Sequence, residues 1–450
     1  MLHSGAVAST TVARIVQQRN FLVIQGLRIL IVASMLVLAG CQRAADSPGD
    51  APAGMTATPG DGLVLVQWNQ VPDPNLMYWI FYQAGSTVTP AGSGVPLIRN
   101  AQNPRVIFNL SNGTEYAFVM NATYKDSPAG PSTPVMTATP QLAGASWDTS
   151  GTPLGGATQN LNGIAFSGAR LVAVGDGASI FTGLYSYANP TPPGPPGVVE
   201  WLPAPSVWWL SQTTSIPAPV NQNLNAIIFT GAQFVVLAAD GSVLTGADGF
   251  TWTLAGTVPA GGAGMNGIAL GTVSGIPVYV AVGSGGRIFW STDLVTWNTP
   301  VSPTTQDLFG VAFLPSGFVA VGANGTLLTS PDGSNWTTQV SGTSSALRGV
   351  AFGLSLAAGS RYVAVGDGSI VTSTDAVTWT PVSPPPASSL RSVVFGSRFL
   401  AVGQGGAVAY SDDGTTWLTT TAGSSDLNRV IFAPGLYMAV GAAGANAVAK

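Results

Sequence analysis

The chain has 450 residues, which is enough for more than one domain, and only 8% of them are charged, whereas 57 are glycine and 33 are proline. This composition is typical of a stiff, turn-rich protein outside the cytosol and not of a cytosolic enzyme. The net charge of −4 argues against nucleic acid as a partner.

Residues 1–40 are predicted to be an export signal. Three arginines precede an apolar run at 29–38, which is short for a membrane span. The run Leu38-Ala39-Gly40-Cys41 resembles the lipobox of bacterial lipoproteins. The resemblance implies cleavage before Cys41, lipidation of Cys41 and, because Gln42 rather than Asp follows, an exported protein anchored to the outer membrane. An ordinary secretory signal with a chance cysteine is the alternative.

The residue types left after such cleavage exclude several chemistries. The only histidine is His3 and the only cysteine is Cys41. The mature chain therefore has no Ser-His-Asp triad, no free cysteine nucleophile and no His- or Cys-ligated zinc. We expect no metal, no other cofactor and no enzymatic activity.

Residues 41–51 are polar and small, and we interpret them as a tether. Residues 52–140 are predicted to form a β-sandwich. Two apolar runs end at Trp68, the alternating strand 78–82 follows, and the segment 110–116 ends at Tyr116. This pattern resembles a fibronectin type III domain, with Tyr116 at the tyrosine corner, where the phenol hydroxyl bonds to nearby backbone. The resemblance implies a spacer or an adhesive module.

The remainder, residues 141–450, is built from copies of one unit, which is clearest at 308–340. Four short β-rich runs are separated by Gly, Asn, Asp, Pro and Ser, the residues that favour turns. The first run shows almost no polar alternation, which predicts a strand covered on both faces. The first strands are predicted to begin at Leu161, Leu224, Met265, Leu308, Leu347, Leu390 and Leu427, and the fourth strands at Trp209, Trp252, Trp297, Trp336, Trp379 and Trp417.

A period near 40 residues with four strands per unit is typical of a β-propeller. The seventh unit lacks a fourth strand, but a spare one, around Trp147, precedes the first unit. The predicted fold is therefore all-β: a fibronectin type III-like sandwich followed by a seven-bladed β-propeller, whose last blade is closed by the strand at Trp147. Such closure removes an open sheet edge.

Four turns between third and fourth strands carry Ser-x-Asp followed by Trp four residues after the aspartate; the aspartates are Asp293, Asp332, Asp375 and Asp413. They resemble the Asp-boxes of sialidases, although the tryptophan comes one position earlier here. We interpret these aspartates as structural acceptors of backbone N–H groups, with catalysis as the alternative. Sialidase activity is disfavoured because neither Glu115 nor Glu200 is suitably placed and the family's arginine motif is missing.

The units also read Leu-x-x-Val-Ala-Phe, then Ala-Val-Gly-x-x-Gly, then Ser-x-Asp-Gly and Trp, over about 300 residues. This resembles the propeller of the photosystem II stability and assembly factor family, whose members bind other proteins. The first unit also carries a proline-rich, aromatic insertion at 184–208. It is either a packed loop or an aromatic platform for a glycan or a partner.

The position after the first residue of each unit is polar in six of seven copies, with Phe309 as the exception. We expect these side chains at one mouth of the ring: Asn162, Asn225, Asn266, Arg348, Arg391 and Asn428, with Arg429 one residue further. Three arginines on consecutive units suit a carboxylate or another acidic group. The alternative is that these side chains cap strand ends and bond neighbouring backbone.

The function predicted from the sequence is that of a lipid-anchored envelope protein that binds an unknown protein or glycan through its propeller, without catalysis. The alternative is a glycan-acting hydrolase or lyase that uses paired aspartates.

Overall fold

A computed structural model describes residues 47–90, 94–124, 128–149, 158–186, 206–211, 220, 222–259, 264–355, 359–383, 388–433 and 435–449. The predicted signal, the lipidation site Cys41, most of the tether and the centre of the insertion lie outside these residues. Within them, no helix is both long and apolar enough to cross a membrane. The regular structure described is all-β, with single 3-10 turns at Asp176–Ala178, Ser284–Gly286, Ala323–Gly325, Gln404–Gly406 and Ala442–Gly444.

The N-terminal module consists of two antiparallel sheets. One has the order β1-β2-β5, and the other has the order β4-β3-β6-β7. The strands are β1 (Thr56–Gly60), β2 (Leu63–Gln67), β3 (Leu76–Ala84), β4 (Leu97–Ile98), β5 (Arg105–Ile107), β6 (Tyr116–Tyr124) and β7 (Met136–Ala138).

One apolar core joins the two sheets of this module. The rings of Trp68 and Tyr78 lie 5.3 Å apart in it, and Phe118 is fully buried beside them. The Tyr116 hydroxyl accepts a hydrogen bond from the Ser111 N–H at 3.1 Å, which is the backbone tie expected from the 110–116 segment.

In the C-terminal part of the chain, the described residues form seven further antiparallel sheets; six are built from consecutive strands, and the last combines β32–β34 with the upstream strand β8. The strands are β8 (Trp147–Asp148), β9 (Leu161–Phe166), β10 (Arg170–Gly175), β11 (Ser179–Ser186), β12 (Ser206–Ser211), β13 (Leu224–Phe229), β14 (Phe234–Ala238), β15 (Ser242–Gly246), β16 (Thr253–Thr257), β17 (Met265–Val273), β18 (Ile276–Gly283), β19 (Ile288–Ser291), β20 (Leu308–Leu314), β21 (Gly317–Gly322), β22 (Leu327–Ser330), β23 (Thr337–Gln339), β24 (Leu347–Ser355), β25 (Gly359–Gly366), β26 (Ser369–Ser373), β27 (Thr380–Pro381), β28 (Leu390–Phe395), β29 (Phe399–Gly403), β30 (Ala407–Ser411), β31 (Leu418–Thr421), β32 (Leu427–Ala433), β33 (Leu436–Gly441) and β34 (Asn446–Ala449).

These sheets follow one another around a closed cycle. The first strand of each sheet contacts the first strand of the next, and β32 of the last sheet contacts β9 of the first. Apolar cores fill the space between neighbouring sheets; one of them joins Val172 of one sheet to Phe234 and Trp252 of the next. The ring has a central channel lined by the first strands, because the remaining strands of each sheet lie further from the axis.

The sequence predicted a first strand covered on both faces, but in most sheets burial is greatest in the second strand. Every residue of β14, β21 and β29 is buried, whereas the first strands alternate buried and half-buried positions. The reason is that the first strands turn one side to the channel, while the second strands are covered by sheets on both faces. Within a sheet, a phenylalanine near the end of the first strand packs against an aromatic residue near the start of the second, as Phe313 and Phe318 do at 4.8 Å between ring centres.

The segment at Trp147 completes the sheet that holds the C-terminal strands. In β8, Trp147 pairs with Ala449 and Asp148 pairs with Val448 of β34. The Trp147 indole N–H donates to the Gly144 carbonyl at 3.0 Å. The same bond from a tryptophan to the carbonyl three residues earlier recurs at Trp336 and Trp417. An upstream segment therefore occupies the outer position that consecutive strands fill in the other sheets.

The fourth strand predicted at Trp297 is wrong. The sheet of β17, β18 and β19 has three strands, and only a single bridge joins Trp290 to Asn298 beyond them. Pro300 and Pro303 follow this bridge. Proline has no N–H to donate to a sheet, so the ladder ends after one pair.

The sandwich-like module contacts the ring through Asp61, which is only 8% exposed. Its carboxylate accepts hydrogen bonds from the Asn112 side chain at 2.7 Å, from the Ala143 N–H at 3.3 Å and from the Ser397 hydroxyl. Ser397 lies in the turn between β28 and β29, beside the buried hydroxyl of Tyr437. A buried carboxylate with several donors thus fixes one module against the other.

Candidate functional site

A β-bulge near the start of each first strand places the candidate side chains at one mouth of the channel. In β20 the register shifts between Leu308 and Gly310, so that Phe309 is the extra residue. Corresponding shifts make the extra residues Asn162, Asn225, Asn266, Arg348, Arg391 and Asn428. Bulges aim a side chain out of the ladder and are frequent at functional sites. The sequence analysis did not predict these bulges. The glycine that follows the extra residue in several copies was a signal for them, since glycine inside a strand often marks a bulge.

The candidate residues line one cavity of ≈ 590 Å³ at this mouth. They are Asn162, Asn225, Asn266, Arg348, Arg391, Asn428 and Arg429, and they are joined by Asn160, Asp176, Asn223, Phe309, Asp426 and Ala442. The turns between second and third strands lie at the same end, because the N–H of Asp176 bonds to the carbonyl of Asn160, just before β9. The structure therefore brings together all of the residues selected by position in the repeat.

The asparagines link neighbouring sheets. The Nδ2 groups of Asn225, Asn266 and Asn428 donate to the carbonyls of Met265, Leu308 and Leu161, at 2.7, 2.8 and 2.8 Å. Each accepting carbonyl belongs to the first residue of the next first strand, so the bond of Asn428 joins the last sheet to the first. This is the capping role considered as the alternative in the sequence analysis.

Arg348 forms a bidentate ion pair with Asp367, the residue that follows β25. Its Nε and Nη2 donate to the two carboxylate oxygens at 2.7 and 2.8 Å. The hydrogen bonds from Arg348 hold the pKa of Asp367 below its usual value, against the opposing effect of burial, and Asp367 in turn raises the pKa of Arg348. The guanidinium also lies 5.0 Å from the ring centre of Phe309. Arg348 is thus neutralised within the mouth.

Arg391 is neutralised as well. Its Nη2 donates to Asp426 at 2.8 Å and its Nη1 donates to the Asn428 side-chain oxygen at 2.6 Å. The sequence had led us to consider Asp426 as a partner of Arg429, its near neighbour in the chain; the ion pair forms with Arg391 of the preceding sheet instead. Both ion pairs are about one-third exposed, at 31% to 39% for the four side chains. A pair with this exposure contributes up to about 1 kcal/mol to stability.

Arg429 differs from the other two arginines. Within the described part of the chain, its side chain has no hydrogen bond and no ion pair, and the ion pairs are Arg348–Asp367, Arg391–Asp426 and Arg398–Asp412. The side chain is half-buried, and its partial withdrawal from water lowers the pKa of the guanidinium. The side chain lines both the mouth and a smaller chamber of ≈ 130 Å³.

The Asp-box aspartates lie at the opposite end of the sheets and organise turns. Asp293 accepts hydrogen bonds from the N–H groups of Val295 and Thr296 at 2.9 and 2.8 Å, and Asp332, Asp375 and Asp413 bind their turns in the same way. Asp248 organises a fifth such turn, since its carboxylate accepts hydrogen bonds from the N–H groups of Phe250 and Thr251. The sequence analysis missed this turn because Gly246 stands where the pattern has serine, although Trp252 follows the aspartate at the usual four positions.

Because the Asp-box aspartates accept backbone hydrogen bonds most strongly when ionised, we expect the folded protein to lose stability in acid. The Thr378 and Val377 N–H bonds lower the pKa of Asp375 from 3.8 to about 2, and the corresponding bonds of Thr296 and Val295 do the same for Asp293. A carboxyl whose pKa is lower in the folded state stabilises the fold above the unfolded value, and this contribution disappears as the pH falls from about 4 to about 2. Thermal unfolding measured between pH 6 and pH 2 is expected to show this decline. Asp375→Ala is expected to lower the melting temperature at pH 6 and to reduce the decline, whereas Asp50→Ala, at an exposed aspartate outside the ring, is expected to change neither.

The described residues contain no group of three or more His, Cys, Asp and Glu side chains that could hold a metal ion. The insertion in the first unit emerges between β11 and β12, which pair as far as Ser186 and Ser206. The proposed platform at its centre lies outside the described residues.

The closed ring of antiparallel sheets defines the β-propeller class. No family model matches the chain, and no curated protein matches it. Solved structures do. YCF48 bound to a D1 peptide is 18% identical, with 65% of this chain and 92% of that chain covered and a TM-score of 0.49. The computationally designed Ika8 protein is 13% identical, with 66% and 98% covered and a TM-score of 0.45. The WD40 domain of Neurospora crassa Pan2 is 11% identical, with 65% and 88% covered and a TM-score of 0.46.

Proposed function

We propose that this protein is a non-catalytic binding module, in which the mouth of the channel recognises an acidic group of a protein or a glycan. The observation that supports the proposal is the composition of the mouth: arginines, asparagine amides and one aromatic ring, held in place by bulges on first strands of sheets around the ring. Guanidinium groups suit carboxylates, and an adjacent aromatic ring adds apolar contact area.

The proposal includes the architecture that presents this mouth. The seven sheets are the blades of one seven-bladed propeller over residues 141–450, closed at Trp147, and residues 52–140 are a fibronectin type III-like spacer. The two-sheet core and the Tyr116 hydrogen bond support the second assignment. The contact through Asp61 holds the spacer against the ring, so the mouth is presented at a fixed angle to the preceding segment.

The proposal places the protein in the cell envelope, attached through a lipid on Cys41 to the outer membrane. The sequence Leu38-Ala39-Gly40-Cys41 supports it. Cys41→Ser is expected to move the protein from the membrane fraction to the soluble fraction and to remove the mass of the lipid. Fractionation together with intact-mass measurement checks this, and a variant that stays in the membrane with unchanged mass contradicts it.

The binding role is tested by comparing what variants of the soluble chain 42–450 retain from the native envelope. The control variant is Arg105→Ala, because Arg105 is an exposed arginine of the spacer. The unmodified chain and this variant are expected to retain the same partner. The double variant Arg348→Ala with Arg391→Ala is expected to lose it, and retention by the unmodified chain is expected to fall with salt, since exposed charges are screened beyond about 10 Å at 0.1 M. A double variant that unfolds more easily and still retains the partner contradicts a binding role for these arginines and assigns them to the stability of the ring.

A glycan-acting hydrolase or lyase is the second candidate, because two aspartates, Asp176 and Asp426, line the same cavity. Both carboxylates already accept hydrogen bonds, Asp176 from Asn160 and Asn162 and Asp426 from Arg391, which favours a positioning role over proton transfer. Turnover of envelope glycans by the unmodified chain that is lost in Asp176→Asn or Asp426→Asn favours the enzyme.

A further inference from the structure

A single arginine occupies a position of the first strands that is otherwise reserved for small residues. Arg429 follows the bulge of β32 and pairs with Val440. The residues that follow the bulge in the other six sheets are Gly163, Ala226, Gly267, Gly310, Gly349 and Ser392. All seven positions line the chamber of ≈ 130 Å³ below the mouth. Six small residues thus leave room around one guanidinium.

The guanidinium in this chamber has no counter-ion among the described residues. Arg348 and Arg391 are already paired with Asp367 and Asp426, so a ligand at either of them shares the arginine with a carboxylate of the protein. Asp176, which also lines the mouth, accepts hydrogen bonds from Asn160 and Asn162 and forms no ion pair with Arg429. Arg429 is half-buried, and partial withdrawal of a charge from water without a partner is unfavourable. Its planar fork matches a carboxylate with two parallel hydrogen bonds.

We propose that the chamber at Arg429 is the binding site for one carboxylate, which enters from the mouth and is held by the Arg429 guanidinium. The inference rests on the proposed binding role of the mouth and specifies its ligand. The larger cavity above the chamber accommodates the residue or sugar that carries the carboxylate. A polyanion fits less well, because Asp176, which forms no ion pair with the described residues, would repel its further charges. The carboxylate comes from a chain terminus, an acidic side chain or an acidic sugar.

The test uses the chain 42–450 and short synthetic probes in a buffer without carboxylates. The probes are the peptide acetyl-Gly-Ser-Gly-Ala with a free C-terminus, the same peptide amidated, amidated acetyl-Gly-Ser-Gly-Glu, its glutamine counterpart and glucuronic acid. Binding is measured by calorimetry and by ligand-induced chemical-shift changes. At least one carboxylate probe is expected to bind, its neutral counterpart is not, and the probe that binds identifies the source of the carboxylate.

Arg429→Gln is expected to weaken that binding by about 10- to 100-fold, as for the loss of a charge-assisted hydrogen bond. Arg105→Gln, in the spacer, is expected to leave it unchanged, and Asp176→Asn is expected to strengthen it by removing a like charge. Equal binding of charged and neutral probes, binding by none of them, or binding that survives Arg429→Gln overturns the inference.

The stability of the ligand-free protein provides a second readout. Because a half-buried charge without an ion-pair partner among the described residues is removed, Arg429→Gln is expected to keep or raise the melting temperature. A clear fall shows that Arg429 is a structural residue and overturns the inference. If Arg429→Gln still retains the envelope partner that the Arg348 and Arg391 double variant loses, the carboxylate site is wrong and the binding role of the mouth stands. If neither variant changes what is retained, the proposed function itself fails.

Discussion

Removing the strand at Trp147 is expected to destabilise the whole ring and not only its last sheet. Each sheet packs against two neighbours, and Trp147 packs in the core between the last sheet and the preceding one. Losing its strand exposes that core and weakens the last sheet, which also packs against the first sheet and so joins the two ends of the ring. Replacing residues 141–155 by a Gly/Ser linker of equal length is expected to lower the melting temperature in one cooperative transition. Trp147→Ala alone is expected to cost about 3 kcal/mol, the lower end for a large aromatic, because the indole is half-buried.

A peptide of residues 141–151 added to the linker variant is the matched control. It is expected to restore the melting temperature, because it can occupy the free edge of β34. Without the peptide, that edge presents unpaired backbone groups and favours aggregation, which light scattering detects. A linker variant that melts at the same temperature as the unmodified protein contradicts the closure.

Tyr437→Phe is expected to lower the free energy of unfolding by about 2 kcal/mol, although only one oxygen is removed. The hydroxyl accepts hydrogen bonds from the N–H groups of Ser397 and Arg398 at 3.1 and 3.0 Å and donates to the Arg398 carbonyl at 2.9 Å. The side chain is fully buried, so water cannot replace these bonds without rearrangement. Phenylalanine fits sterically, since Phe318 and Phe399 hold the same position in other sheets.

Tyr362→Phe is the control for this prediction. Tyr362 holds the same position in another sheet and is also buried, but its hydroxyl has no hydrogen bond among the described residues. Its replacement is expected to change the free energy of unfolding by less than about 0.5 kcal/mol. Denaturant unfolding of both variants gives the comparison, and equal losses contradict the role assigned to the Tyr437 hydroxyl.

The repeat predicted the start of every first strand, because a buried Leu or Met there is followed by a β-rich run whose pattern recurs. It also predicted which side chains share the mouth, since equivalent positions of a ring lie at equivalent heights. The bulges were not predicted, because an extra residue in a strand leaves the apolar pattern on both sides intact. The prolines after Asn298 indicate that no fourth strand forms at Trp297, but the sequence analysis did not take them into account.

The charge state of the mouth could not be derived from the sequence. Asp367 lies 19 residues from Arg348, in a turn of the same sheet, and Asp426 lies 35 residues from Arg391, in the neighbouring sheet. Such pairs depend on strand register and on the distance between sheets, and not on local spacing. From the sequence alone, Arg348, Arg391 and Arg429 were therefore equivalent candidates. The structure shows that Arg348 and Arg391 form ion pairs, whereas Arg429 forms none with the described residues.

The most direct test of the central claim, that a partner binds at the mouth, is site-specific photo-crosslinking in the native envelope. A photoreactive phenylalanine analogue placed at Phe309, which lines the mouth, is compared with the same analogue at Val377, an exposed residue of an Asp-box turn at the opposite end. We predict a discrete crosslinked partner from position 309 that is absent from position 377 and weakens with salt. Crosslinks from position 377 alone, with none from position 309, contradict the account.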